Sequence, residues 1–152
     1  MPETGREAPD FELRDQHGRS VRLSSFRGAT AVVVMFYPYA FSRVCTGELT
    51  AARDLPAFTS AGAQLLAVSC DPMFSLRALA ERDSLDFPLL SDFWPHGEVA
   101  RAYGVFDEER GCADRSTFIV DRSGVLRWTV HNAMPEARDL EEQVRVLAEV
   151  VG

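Results

Sequence analysis

The sequence predicts an α/β protein, a mixed central sheet with helices on both faces and a β-hairpin at its N-terminal end. Three observations predict it. Residues 31–36 (AVVVMF) are a continuous β-branched run and 64–69 (QLLAVS) a second apolar one, as expected of strands buried on both faces. Each is followed by apolar residues at helical spacing, and this β-α-β-α alternation implies parallel strands. Short runs flanking turn residues lie at both ends of the alternation, and these imply antiparallel hairpins.

In chain order, a hairpin joins residues 11–13 to 21–23 through the turn Asp15-Gln-His-Gly18, and its place is the sheet edge. Residues 31–36 make the central strand. From Ser42 to about Phe58 the pattern predicts a helix, with Ser42 at its start, Glu48 in its first turns, Leu49, Ala52 and Leu55 three apart, and Pro56 interrupting it. Residues 64–69 are the second buried strand, after which Asp71 and Pro72 supply the N-cap and N1 of a helix to about Arg82. Residues 87–90 read as a short strand and 96–103 as a short helix. Residues 116–120 and 125–130 flank Asp121-Arg-Ser-Gly124 as a hairpin. A last helix over 137–151 carries its stripe at Leu140, Val144, Leu147 and Val151. No repeat or linker divides the 152 residues, so one domain over 1–152 is expected, and parallel βαβ strands followed by an antiparallel hairpin and a terminal helix suggest a thioredoxin-like fold.

Composition narrows the function. With 46% hydrophobic and 26% charged residues the chain can bury a core. Its longest strongly apolar stretch, residues 29–41, contains Pro38 and falls short of the roughly 20 residues a spanning helix needs, so no membrane partner is expected. The first ten residues lack a charged region followed by an apolar one, which makes the cytoplasm the expected location. A net charge of −7 with no basic stripe argues against nucleic acid. All 16 basic residues are arginine, which excludes Schiff-base chemistry and a P-loop lysine. The cysteines, Cys45, Cys70 and Cys112, form no CxxC, and His17, His96 and His131 share no ligand spacing. A disulfide scaffold, a metal and a cofactor are therefore not expected, and thiol chemistry in a reducing compartment is left.

Cys45 carries that chemistry best. It falls just past a buried strand, in the first turn of a helix, within Pro38-Tyr-Ala-Phe-Ser42-Arg-Val-Cys45. Backbone N–H groups at a helix start are unpaired and partly positive, and they stabilise a thiolate. A merely buried cysteine is the common alternative. The offsets of Pro38 and Ser42 weigh against it.

Those offsets, Pro-x-x-x-Ser/Thr-x-x-Cys, resemble the peroxiredoxins, thiol peroxidases of thioredoxin fold. The resemblance runs over nearly the whole chain: Ala8-Pro9-Asp10-Phe11, Phe87-Pro-Leu-Leu-Ser-Asp92 with Ala102-Tyr-Gly104, and Arg115-Ser-Thr-Phe-Ile-Val-Asp121 all look like family segments. Ser91-Asp-Phe-Trp-Pro-His-Gly97 and Tyr103-Gly-Val-Phe106 are similar to the alkyl hydroperoxide reductase E type of one-cysteine peroxiredoxins. The resemblance implies that Cys45 is the nucleophile toward a hydroperoxide substrate. It implies that Arg115 steadies thiolate and peroxide, that the Ser42 hydroxyl hydrogen-bonds both, and that Pro38 shields the sulfur from water. Serine where most of the family has threonine lacks one methyl group, which changes packing rather than chemistry. Glu48, one turn after Cys45, either holds the arginine or is a first-turn acid favoured by the helix dipole.

Recycling of the sulfenic acid depends on the other thiols. None of the positions at which the family carries an internal resolving cysteine holds one here. Cys70, ending a buried strand, fits a core role, and Cys112, three residues before Arg115, is the candidate for an atypical resolver. The expected cycle uses one cysteine and an external reductant, a small thiol or a thioredoxin- or redoxin-type protein. A peroxide sensor or chaperone-like module switched by Cys45 oxidation is the rival from another class. A cysteine hydrolase is weak, because no histidine has a motif context beside Cys45. Phe36, Tyr37, Phe41, Phe93 and Trp94 fit a peroxide pocket, a subunit contact or core packing, and the Phe93-Trp94 pair with the family likeness implies a homodimer.

Overall fold

A computed structural model describes residues 2–58, 62–134 and 136–151. In chain order the elements are β1 (Glu12–Arg14), β2 (Ser20–Arg22), β3 (Ala31–Phe36), α1 (Arg43–Arg53), β4 (Ala63–Ser69), α2 (Met73–Asp83), β5 (Leu89–Ser91), α3 (Glu98–Ala102), β6 (Phe106–Asp107), β7 (Cys112–Ala113), β8 (Arg115–Val120), β9 (Leu126–Asn132) and α4 (Leu140–Val151). Seven strands form one mixed sheet in the order β2-β1-β5-β4-β3-β8-β9. Strands β3, β4 and β5 run parallel, while β1 and β8 pair antiparallel with their neighbours. The expected hairpin is present at the edge, with Leu13 opposite Val21.

Strand β3 explains why its sequence is continuously apolar. Ala31, Val33 and Met35 pack on one face with Leu49 of α1, Leu76 and Leu79 of α2 and Leu147 of α4. Val32, Val34 and Phe36 pack on the other with Ala8, Phe11 and, from α3, Val99 and Ala100. Burying each large side chain stabilises the fold by about 1.5–3 kcal/mol, so both faces need apolar residues. The residues of β8 divide in the same way: Ile119 joins the α1 side, and Phe118 and Val120 join the α3 side. Arg115 and Thr117 therefore face α1. No helix is long and apolar enough to cross a membrane among the described residues.

Several boundaries differ from the sequence reading, each for a local reason. Strand β3 is interior but one place from the middle of the sheet, which β4 occupies. Helix α1 stops at Arg53, and Pro56–Phe58 forms a separate 3-10 turn that buries Phe58. Pro72, in extended conformation, is the cap of α2, because Asp71 is turned to the preceding loop and accepts the Ala40 N–H at 2.8 Å. Helix α3 covers only Glu98–Ala102, where the Asp92 carboxylate accepts the Val99 and Ala100 N–H groups. Helix α4 begins at Leu140 rather than 137, since the Arg138 N–H donates to Glu48 Oε2 at 2.7 Å and Asp139 caps by accepting the Glu142 N–H. Cys112 lies in the short ladder of β6 and β7 rather than in a loop.

Candidate active site

The site begins where β3 runs out. The Tyr37 N–H still donates to Val68 O at 3.0 Å, but Pro38 has no N–H to give and the chain leaves the sheet. Phe41 sits at φ +66, a left-handed conformation costing a side-chain-bearing residue roughly 1–2 kcal/mol. That turn delivers Ser42 to the N-cap of α1, where its Oγ accepts the Cys45 N–H at 3.3 Å. Cys45 is thus the third residue of the helix, and its side chain is fully buried.

A compact charge cluster faces its sulfur. Arg115 Nη1 lies 3.4 Å from Cys45 Sγ and pairs with Glu48 Oε1, while Arg115 Nε donates to Met134 O at 3.0 Å. The other Glu48 oxygen takes the Arg138 N–H and lies 3.2 Å from Arg138 Nε. Arg138 also donates to Phe36 O and, at 3.4 Å, to Thr117 Oγ1. Burial pushes Arg138 down to about 10 against the opposing pull of Glu48, so it stays charged at neutral pH. Two buried guanidinium groups held by one carboxylate leave a positive charge beside Sγ.

Glu48 therefore bridges the two guanidinium groups and is buried rather than facing solvent. Removing one partner of a buried ion pair costs about 3–5 kcal/mol, because the remaining charge is left unpaired. Glu48→Gln is expected to destabilise the protein by about that amount, read as a lower midpoint in urea unfolding. An unchanged midpoint would mean that the carboxylate does not hold the two arginines.

Above the cluster opens a cavity of about 470 Å³ lined by Pro38, Tyr39, Ser42, Arg43, Val44, Arg110, Arg115 and Met134. Cys45 is not part of that lining, but two of its residues touch it: Ser42 Oγ accepts the Cys45 N–H, and Arg115 Nη1 lies 3.4 Å from Sγ. The structure brings Pro38, Ser42, Cys45, Glu48 and Arg115 together. None of the five aromatic candidates lines the cavity: Phe36 and Tyr37 are core residues, whereas Phe41, Phe93 and Trp94 are exposed. Cys70 and Cys112 are buried, and desolvation pushes Cys70 up to about 12 and Cys112 upward as well. Among the described residues no group of three His, Cys, Asp or Glu could hold a metal.

Sequence reasoning missed Arg138, Tyr39, Arg43, Arg110 and Met134. Arg138 is one of 16 arginines in a stretch read as the start of a helix, and no spacing marks it. Arg43 and Tyr39 stood within the motif itself and could have been found by asking which neighbours of Cys45 a helix start leaves facing outward.

Comparison with known proteins gives this geometry its class, a thiol-dependent peroxidase on a thioredoxin-like fold. The crystal structure of peroxidoxin BcpB from Mycobacterium tuberculosis superposes with a TM-score of 0.87 at 31% identity, over 99% of each chain. That of Enterococcus faecalis AhpC gives 0.87 at 31% identity over 98% of this chain and 92% of the other. Alkyl hydroperoxide reductase E of Mycobacterium tuberculosis is 47% identical over 140 residues, 91% of this chain and 92% of that one. The chloroplastic 2-Cys peroxiredoxin BAS1 of Spinacia oleracea is 34% identical over 158 residues, 97% of this chain and 59% of that one. Residues 4–129 match the AhpC/TSA family, and the chain belongs to it as a peroxiredoxin.

Proposed function

We propose that this peroxiredoxin reduces hydrogen peroxide and organic hydroperoxides with Cys45 as nucleophile, in a one-cysteine cycle completed by an external thiol. The observation that carries the reading is the Arg115 guanidinium 3.4 Å from Cys45 Sγ, under a cavity open to substrate. The thiolate attacks the distal oxygen of ROOH, the O–O bond breaks, and the departing RO⁻ takes a proton to become ROH. Charge develops on that oxygen, and Arg115 lines the cavity where it forms. Ser42 Oγ already accepts from the Cys45 backbone, which leaves its hydroxyl proton to donate to peroxide. Pro38 supplies an apolar wall.

Burial of Cys70 and Cys112 supports the external reductant, because a thiol is a nucleophile only as thiolate. All three cysteines are free, which fits a reducing compartment such as the cytoplasm. Intact-mass measurement after one equivalent of peroxide tests the cycle. One added oxygen, trapped by dimedone at Cys45, is expected. Loss of two hydrogens with a Cys45–Cys112 linked peptide would replace it by internal resolution, and an unreactive Cys45 would favour a module that does not turn over peroxide.

The same chain is expected to form a homodimer. Trp94 is 82% and Phe93 45% exposed, so burial inside the monomer does not account for them, and Phe41 is 45% exposed near Cys45. Paired aromatics are common interface anchors. Light scattering is expected to give twice the chain mass for wild type and dissociation for Trp94→Ala, with a slower peroxide rate. A fully active wild-type monomer at micromolar concentration would sink the proposal.

A further inference from the structure

We infer that the thiol returning Cys45 to its reduced form is a small anionic one, bearing a carboxylate or other anionic group near its sulfur, and that Arg43 and Arg110 at the cavity mouth select it. This rests on the one-cysteine reading above. Three observations carry it.

The first is access. Cys45 is fully buried and lies beneath a cavity of about 470 Å³, within the roughly 300–1,000 Å³ of small-molecule sites. The attacking sulfur must come to a bonding distance of about 2 Å from Sγ. A compact thiol can descend into such a cavity, whereas a folded protein carries its thiol on its own surface and would have to displace the cavity wall.

The second is charge. The chain carries a net −7, yet the cavity lining holds three arginines and no acid. Arg115 is occupied by Glu48, whereas Arg43 is exposed and has no ion pair among the described residues. Arg110 is anchored by its backbone, its carbonyl accepting from Tyr39 Oη and its N–H donating to Asp107, and its guanidinium is only loosely paired, 3.7 Å from Asp107 Oδ2. Two free or nearly free cations therefore ring the entrance, in a field that is otherwise repulsive to anions.

The third is the absence of competition from within: neither Cys70 nor Cys112 has an arginine hydrogen-bonded to its sulfur among the described residues, as Cys45 has, and desolvation pushes both thiols upward. In the first step the external thiolate RS⁻ attacks the sulfenic sulfur. The S–S bond forms, the S–O bond breaks, and the leaving hydroxide takes up the proton given off by RSH, yielding water. A second RS⁻ then attacks the external sulfur of the mixed disulfide, releasing RSSR and the Cys45 thiolate. Two thiols thus supply the two electrons that the peroxide removed.

The test uses full-length protein oxidised with one equivalent of hydrogen peroxide, with formation of the Cys45 sulfenic acid verified by dimedone mass. Its reduction is then timed with 3-mercaptopropionate, 2-mercaptoethanol and cysteamine, each rate divided by the thiolate fraction present. The anionic thiol is expected to react about tenfold faster than the neutral one and the cationic thiol slowest, with the gap closing as salt rises. In Arg43→Gln and Arg110→Gln the anionic advantage is expected to shrink several-fold. Equal corrected rates for the three thiols, or an advantage untouched by both substitutions, would overturn the inference. So would a thioredoxin-type protein reducing the sulfenic acid faster than any of them at equal thiolate concentration. Absence of sulfenic acid in the first step would instead refute the peroxidase reading on which the inference rests.

Discussion

Cys45→Ser protein is expected to consume hydroperoxide no faster than buffer alone, while Cys70→Ser and Cys112→Ser retain most of the wild-type rate. The reason is positional. An alcohol at the third residue of α1 keeps the fold and the cap from Ser42, but it is not ionised at neutral pH and cannot displace an alkoxide. Neither of the other two thiols has an arginine hydrogen-bonded to its sulfur among the described residues, as Cys45 has, and desolvation pushes both upward. Peroxide consumption followed with dithiothreitol as reductant distinguishes the three variants. A dead Cys112→Ser beside a live Cys45→Ser would reassign the nucleophile.

Arg115→Ala is expected to slow peroxide attack by about 10²–10³-fold, the usual cost of deleting a donor aimed at developing charge. Alkylation of Cys45 by iodoacetamide should fall far less, because that reaction has no peroxide to orient and no alkoxide to stabilise. The variant is expected to fold, since Glu48 keeps its contact with Arg138 when Arg115 is gone. In this it differs from Glu48→Gln, which strands two buried cations. Rapid-mixing kinetics for both reactions on one preparation give the comparison. Equal slowing would reduce Arg115 to an influence on the sulfur alone.

Much of this arrangement was legible before any coordinates. The apolar runs of β3 and β4 needed burial on both faces, which named the interior of the sheet, and the Ser42 and Cys45 spacing marked a helix start. Illegible were features set by contacts between distant segments. Asp71 had the composition of a helix cap, but a loop amide 31 residues earlier took its carboxylate. Arg138 sits 90 residues from Glu48, and only the folded chain brings them together. Glu48 itself could be read two ways because a helix dipole and a buried cation both favour an acid there. The ladder of β6 and β7, two residues a side, is too short for any periodicity to announce.

The alternation of side chains along β8 also sets how that strand can change. Arg115 reaches the sulfur only because it has the same parity as Thr117 and Ile119, whereas Ser116 and Phe118 belong to the opposite surface. Inserting or deleting one residue between Arg115 and Ile119 would send the guanidinium through the sheet, away from the cysteine, and turn Phe118 toward the charges. The pairing of β8 with β9 already absorbs one irregularity, between Ile119 and Val120, at the end of the strand remote from Arg115. A length change beyond that point, in the Asp121–Gly124 turn, leaves the facing of Arg115 as it is, whereas a one-residue change upstream reverses it. For anyone grafting this strand into another scaffold, the count of residues from the bulge back to the arginine is the quantity to preserve, ahead of the identity of the residues between.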